Sequence, residues 1–465
     1  MTGTAHPYMA NSAPELWGEL CAAVGVDDPD ELFTQIPVEH ITQRKFELPP
    51  ALASEVELSR HLRSLLSTNV DCETALSFLG GGCWQHHVPA VCDELATRTE
   101  FLTPVWGTAS SDHGRNQAWF EFASQLGELL DFDFVALPVY SWGCAAGHAI
   151  RMAARLTGRS EVLVPGSIDR ERLAVIRTYC EPPGMEGHID VRLVEIDPTT
   201  GGIALDALEG ALSERTAAVY FEMPGSLGVI EPDCEQIVAL AHGCGAEAIA
   251  GVDPISLGVL APPGQFGADI AVGSTQPLGV HMNCGGGAGG FIASRDEERY
   301  AREYPTLQVT LCPTVEEGER GFTLTLFEQS SYGSRELGND WTGNSVYLWA
   351  VVNAAYMSLL GPAGFVELGE LILLRSHYAA ARIAEIPGVT IRWPGFFKEF
   401  VVDFNDTGRT VAQINRALGE RSIFGGGDLS HSHPQLGQCA LYCVTEIHTQ
   451  ADIDRLAQEL AEVVA

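Results

Sequence analysis

Apolar residues along this chain follow two rhythms, and the change from one to the other divides it. The first portion has helical spacing. In SAPELWGELCAAV (12–24), Leu16, Leu20 and Val24 share a face, and Ser12 followed three positions on by Glu15 reads as a capping box. DELFTQIP follows and stops at Pro37. After the Pro49-Pro50 break, ELPPALASEVELSRHLRSLLS brings Val56, Leu58, Leu62 and Leu65 to helical spacing. Residues 1–75 are therefore predicted to form an N-terminal helical arm.

From about residue 76 short apolar runs alternate with helical patterns. The runs are EVLVP (161–165), DVRLVEI (190–196), TAAVYFEM (216–223), AEAIAGVD (246–253), ADIAVG (268–273) and GGFIAS (289–294). Helical segments such as DALEGALSE and CEQIVALAHGCG separate them, the second ending on Gly243 and Gly245. Strands that are apolar throughout, alternating with helices, predict an α/β domain: a mostly parallel sheet covered on both faces, here residues 76–344. Ligands of such sheets sit at the carboxyl ends of the strands. The loops 138–147, 223–228, 253–258 and 273–290 are thus expected to converge.

The remainder, 345–465, predicts a smaller α+β C-terminal domain. SVYLWAVVNAAYMSLLG is an apolar helix closed by Gly361 and Pro362, and FVELGELILLRSHYAAARIAEI is a second helix. VTIRW, KEFVVDFN and ALYCVTEI read as strands, and TVAQINRALGER as a helix. The last helix starts at Thr449 with Asp452 behind it, and Ile453, Leu456, Leu460 and Val463 make its buried stripe.

Composition narrows the function classes. Sixty-one acidic against 27 basic residues give a formal charge of −34, which disfavours nucleic acid and anionic membrane surfaces as partners. No apolar run reads as a membrane span, and MTGTAHPYMANSAPE lacks the pattern of a secretory signal. Twelve cysteines spread over 465 residues read as the reduced thiols of a cytoplasmic protein. Cys439 and Cys443, near His431, His433 and His448, do not have zinc spacing, so no metal site is expected.

Three stretches carry candidate chemistry. In FLGGGCWQHHVP (78–89), three glycines allow positive φ and close approach of a ligand, and Trp84, His86 and His87 follow. The same composition also suits a turn with a half-buried tryptophan and solvent-facing histidines. Asp253, at the end of AIAGVD, is suited to an ionic hydrogen bond with the ring nitrogen of a heterocycle, or simply starts a turn before Pro254. The third stretch, GADIAVGSTQPLGVHMNCGGGAGG (267–290), has the strand and Gly-rich loop of a cofactor site but no lysine. Its CGGGAGG precedes a strand rather than opening a helix, which argues against a dinucleotide fingerprint. The chain has two lysines, Lys45 in the arm and Lys398 in FFKEFVV of the C-terminal domain. Neither is expected beside a large-domain strand end, where a Schiff-base lysine must project.

Taken in order, FLGGGCWQHHVPAV, GVDPISLGVLAPPGQFGADIAVG, GERGFTLTL, YMSLLGPAGF, FFKEFVVDF and IFGGGDLS followed by CVTE resemble subunit 1 of the decarboxylating glycine dehydrogenases, the P-protein of the glycine cleavage system. The likeness spans roughly residues 8–463. It implies a fold-type-I pyridoxal-phosphate transferase-like large domain with a small C-terminal domain. It also implies a lysine-free subunit that pairs with a lysine-bearing subunit 2 in an α2β2 heterotetramer. The partner would hold pyridoxal phosphate, with none covalently on this chain. Together they would decarboxylate glycine and pass the aminomethyl group to the lipoyl H-protein. By this resemblance Pro277 stands at the place of the Schiff-base lysine. Asp253, Ser141 and Gly143 are relics of cofactor binding, and Trp84, His86, His87, Asn339 and Thr342 line a site offered to the partner. The chain departs from the family's wording at Trp84 and Gln85, in PVWGTASSDHGRNQ (104–117), and in FEQSSYGSRELGNDWTGNS (327–345). Those loops leave two alternatives: a paralogue acting on another amino acid or acceptor, and a non-catalytic stabilising or regulatory subunit.

Overall fold

The structure, a computed structural model, describes residues 13–42, 47–101, 109–185, 187–285, 288–325, 330, 334–342 and 345–465. Ser12, Lys45 and parts of the 104–117 and 327–345 loops lie outside these. The chain divides into two compact units, 1–70 and 71–465. Unit 1 holds helices α1 (Pro14–Val24) and α2 (Glu55–Leu66). The N-cap of α1 is Ala13, which makes no side-chain cap, so the predicted Ser12 capping box does not start this helix. Ser54 caps α2 by accepting from the Glu57 amide. The apolar stripe expected to bury on α2 is instead exposed: Val56, Leu58, Leu62 and Leu65 are all open to solvent.

Unit 2 is built on a seven-stranded sheet of β1 (Phe134–Val135), β2 (Glu161–Pro165), β3 (Asp190–Val194), β4 (Thr216–Met223), β5 (Glu247–Val252), β6 (Ile270–Ser274) and β7 (Gly290–Ser294). Their spatial order is β1-β7-β6-β5-β4-β2-β3. All neighbours are parallel except β7, which runs against both β6 and β1. The continuous apolar runs have a simple cause: alternate side chains enter two different cores. Ala248, Ala250 and Val252 of β5 face one core with Phe221 and Ala271. Ile249 faces the other with Tyr220, Ile270 and Val272. Helix α3 (Trp142–Thr157) covers this second core, and α4 (Cys234–Cys244) packs on the first. Helix α4 ends on Gly245 at φ 76°, as its glycines predict.

Helix α5 (Tyr347–Ala384) joins the two predicted helices across a break at Gly361, φ 59° and ψ 178°, followed by Pro362. By length and composition α5 passes for a membrane span, contrary to the expectation that no run would. It behaves as a core helix at its first half: Ala350, Val351 and Val352 are buried, and Asn353 donates to the carbonyls of Thr275 and Leu278 at 3.0 and 2.8 Å. The break and the charges at Glu367, Glu370 and Arg375 interrupt the rest.

A four-stranded antiparallel sheet follows, in the order β8-β9-β11-β10, from β8 (Thr390–Ile391), β9 (Glu399–Asp403), β10 (Gly427–Asp428) and β11 (Cys439–Cys443). Helices α6 (Val411–Gly419) and α7 (Gln450–Val464) both open with a capping box, Thr410 with Gln413 and Thr449 with Asp452. The α7 stripe Ile453, Leu456, Leu460 and Val463 is buried against Phe400, Val402, Ala440 and Tyr442. Lys398 stands immediately before β9, at the end of the small sheet that meets the central one.

Candidate functional site

The carboxyl ends of β4, β5 and β6 deliver Glu222, Asp253 and Ser274 to one region. The start of α3 adds Ser141, Trp142 and Gly143, and the Gly-rich loop adds Gly80, Gly81 and Gly82. The sequence expectation that these loops converge thus matches their placement. A participant that sequence reasoning placed elsewhere is Lys398. Its Nζ lies 2.7 Å from Asp253 Oδ2 and 3.1 Å from His86 Nε2, and 3.5 Å above the Trp84 ring. The earlier reading of Lys398 as remote is corrected: the start of β9 reaches across to the end of β5.

An ammonium donates only, so His86 Nε2 accepts from Lys398, and its Nδ1 is left to donate to Glu446 Oε2 at 2.8 Å. Glu446 Oε1 accepts the His87 amide at 2.6 Å. Burial opposes a charge on Glu446, but His86 and these hydrogen bonds hold its carboxyl down to about 2. The result is a buried chain, Glu446–His86–Lys398–Asp253, in which each polar group has a partner. Asp253 does both things its sequence context allowed: Oδ1 accepts the Ile255 amide and starts a turn, while Oδ2 takes the ionic contact.

A second ion pair lies alongside. Arg172 Nη1 meets Glu222 Oε1 at 2.5 Å and donates to Ser226 Oγ at 3.0 Å, and Tyr220 donates to the same carboxylate at 2.6 Å. Its guanidinium lies 3.7 Å over the Trp142 ring, and the two indoles are 6.1 Å apart. Each cation is thus stacked on its own tryptophan. The remaining inner space is about 20 Å³, room for about one water. It opens outward into a cleft of about 690 Å³ bordered by Ser141, Gly143, Ser226 and Ser274.

The Gly-rich loop is fixed by what it touches. Gly81 and Gly82 have φ of 93° and 99°, and the Gly81 amide donates to Glu399 Oε1 at 2.6 Å. A Cβ on Gly80 would stand 2.0 Å from that same oxygen and 2.9 Å from Cys443 Cβ. Burial pushes the Glu399 carboxyl up. Gly80→Ala is expected to destabilise the chain by about 2 kcal/mol through overpacking. The check is the urea midpoint; an unchanged midpoint would mean that Glu399 is free to move away.

The other expected site residues divide. Trp84 and His86 are buried inside the chain, 3% and 8% exposed, and do not face outward to a partner as expected. The reason is the charge they enclose: Lys398 draws both inward. His87 is exposed. Ser141 caps α3 by accepting the Cys144 amide at 3.2 Å, and Gly143 lets Val175 approach, at 3.0 Å from where its Cβ would be. Asn339 and Thr342 are not brought to Asp253. Asn339 donates to Glu303 in a separate cleft with Arg151 and Arg155, and Thr342 pairs with His148 Nε2 at 3.2 Å. Pro277 lies buried in the turn after β6, beside Gln276. Gln276 is the residue there that reaches the Gly-rich loop: it accepts the Trp84 amide at 3.1 Å and donates to Trp84 and Val280 carbonyls at 3.0 and 2.9 Å. Cys439 and Cys443 lie in buried β11, and both ring nitrogens of His448 are engaged, by Thr445 and Ser77.

Lys398, Gln276, Arg172, Glu222 and Glu446 were missed as site residues. One signal was available for the first. A lysine inside the apolar strand FFKEFVV requires a buried partner, because an uncompensated charge there is too costly.

Residues 9–460 match the family description "Glycine cleavage system P-protein". The probable glycine dehydrogenase (decarboxylating) subunit 1 of Staphylothermus marinus is 36% identical over 467 residues, covering 99% of this chain and 98% of that protein. Its counterpart in Desulfitobacterium hafniense is 35% identical over 447 residues, covering 96% and 97%. The crystal structure of a glycine decarboxylase (P-protein) of the glycine cleavage system, in inhibitor-bound form, matches with a TM-score of 0.85 at 32% identity, covering 99% of this chain and 100% of that one. The fold is accordingly fold-type I, and the chain belongs to the glycine cleavage system P-protein family.

Proposed function

We propose that this chain is the lysine-free subunit of a decarboxylating glycine dehydrogenase, working with a lysine-bearing subunit that holds pyridoxal phosphate. The observation that carries the reading is the pair of strand ends around Asp253. The turn after β6, Ser274 to Gly279, offers no amine, and Lys398, the lysine that does reach the region, is committed to Asp253 at 2.7 Å. A pyridoxal ring does not fit here: the acid that would hold its nitrogen is already paired, and the free space is about 20 Å³. The Schiff base therefore belongs to another chain. The cofactor's contribution is to accept the electrons released as glycine loses CO₂. The aminomethyl group then passes to the lipoyl arm of an H-protein.

This chain supplies shape, shielding and contact surface. The uncovered stripe Val56, Leu58, Leu62 and Leu65 on α2 suits a surface that a second chain buries. Of the residues expected to line the shared site, His87 is exposed and Asn339 is half-buried at a cleft, so these two are the ones placed to meet a partner. The α2β2 arrangement is part of the same proposal.

The test is to purify this chain alone and together with its lysine-bearing partner, and to measure exchange of labelled CO₂ into the glycine carboxyl group. Exchange is expected only in the pair, with one borohydride-fixed pyridoxyl group per pair, on the partner. Exchange by this chain alone, or a pyridoxyl group fixed on Lys398, would overturn the reading.

A further inference from the structure

Four observations at the inner pocket concern one position. Asp253 sits at the carboxyl end of β5 with Oδ2 turned into the pocket and only 3% exposure. Lys398 Nζ occupies the place 2.7 Å in front of that oxygen. The flat face of Trp84 lies 3.5 Å from the same nitrogen. The space left over is about one water in size. A carboxylate facing a cation that rests on an aromatic ring is also the environment a protonated ring nitrogen would require.

We propose that Lys398 is a built-in stand-in for the pyridinium N–H of the cofactor: it satisfies Asp253 and fills the space, so that this chain keeps the fold-type-I pocket closed against pyridoxal phosphate and related cationic heteroaromatic rings. This deepens the proposed function and rests on it for the identity of the excluded group. A buried carboxylate cannot be left unpaired, so a subunit that gives up its cofactor must either lose the acid or provide another cation. Here the acid is present and the cation comes from the start of β9. His86 and Glu446 behind it fix the direction of the ammonium, through contacts of 3.1 and 2.8 Å. The lysine points its charge at the acid, so its amine is held as a donor and is not presented as a nucleophile.

The test uses the full chain and deoxypyridoxine phosphate, which has the cofactor's ring, ring nitrogen and phosphate but no aldehyde. It therefore cannot form imines with lysines. Binding is followed by quenching of tryptophan fluorescence, since Trp84 and Trp142 line the pocket, and by calorimetry. The wild type is expected to show no saturable binding. Lys398→Ala, which opens space and frees the acid, is expected to bind at least about tenfold more tightly than wild type, as expected when a buried charge regains a partner. Lys398→Met, which keeps the volume, should not bind. Lys398→Ala with Asp253→Asn should lose the gain. Saturable wild-type binding equal to that of Lys398→Ala would overturn the proposal, and so would a gain that survives Asp253→Asn. If Lys398→Ala does not fold, the wild type and the double variant decide: binding by the wild type overturns the plug, and binding by the double variant shows that space rather than charge controls entry. Wild-type binding of this aldehyde-free ring would end the plug but leave the lysine-free reading standing, whereas borohydride fixation of pyridoxal phosphate on Lys398 would end both.

Discussion

Lys398→Met is expected to destabilise the folded chain by about 3–5 kcal/mol, the cost of breaking a buried pair by removing one partner. The side chains of Lys398 and Asp253 are 3% and 4% exposed, so solvent cannot take over when one is removed. The methionine keeps much of the lysine's volume and still lies on Trp84, which isolates the loss of charge from the loss of packing. The loss should be largely recovered in Lys398→Met with Asp253→Asn, where neither partner is charged. A double-mutant cycle by urea denaturation measures this directly. If the two single losses simply add, the pair is not coupled and Lys398 acts only as a spacer. The expected coupling is large because a pair this buried has little value beyond its mutual satisfaction: each ion is tolerated only because the other is present.

That result also explains why the centre of the site was hard to read from the sequence. The sheet was legible. Strands such as TAAVYFEM and AEAIAGVD are apolar throughout, because alternate residues enter the two cores found on either face of the sheet. The capping boxes at Thr410 and Thr449 and the α7 stripe were legible for the same local reason. The reversal of β7 was not, since GGFIAS reads the same in either direction and its orientation is set by the loop before it. Asp253 and the Gly-rich loop could be singled out from local chemistry. Their partner could not be placed, because Lys398 is 312 positions from His86 and joins it only through the packing of the small sheet on the large one. Trp84 and His86 were read as surface because glycine-rich loops are ordinarily solvent-facing. Their inward turn is fixed by Gln276 from the β6 turn and by Lys398 from β9, neither of which local sequence reveals. The α2 stripe was read correctly as a face, but nothing in its period says whether the chain itself covers it.

Glu446→Gln is expected to lower stability at neutral pH by about 3 kcal/mol, from a carboxyl shifted from its ordinary 4.5 down to about 2 in the folded chain. The sign follows from which state binds protons more readily. The folded-state pKa is depressed, so below neutral pH the unfolded chain takes up the proton first. The contribution is complete above the ordinary value of 4.5 and is lost as pH falls through the window down to about 2. Stability curves of wild type and Glu446→Gln should therefore be separated at pH 7, converge below about pH 4.5, and meet near pH 2. The measurement is the urea midpoint across this range. A constant separation at every pH would mean that Glu446 acts through packing rather than charge. Convergence ties the acid response to the chain that runs from Glu446 through His86 to Lys398, because the 2.8 Å contact with His86 Nδ1 is what leaves Nε2 free to receive the lysine. Protonating Glu446 weakens that direction, so acid loosens Lys398 from behind while Asp253 still holds it from the front. In the same range, deoxypyridoxine phosphate should begin to bind the wild-type chain only if the hold from behind matters to the plug.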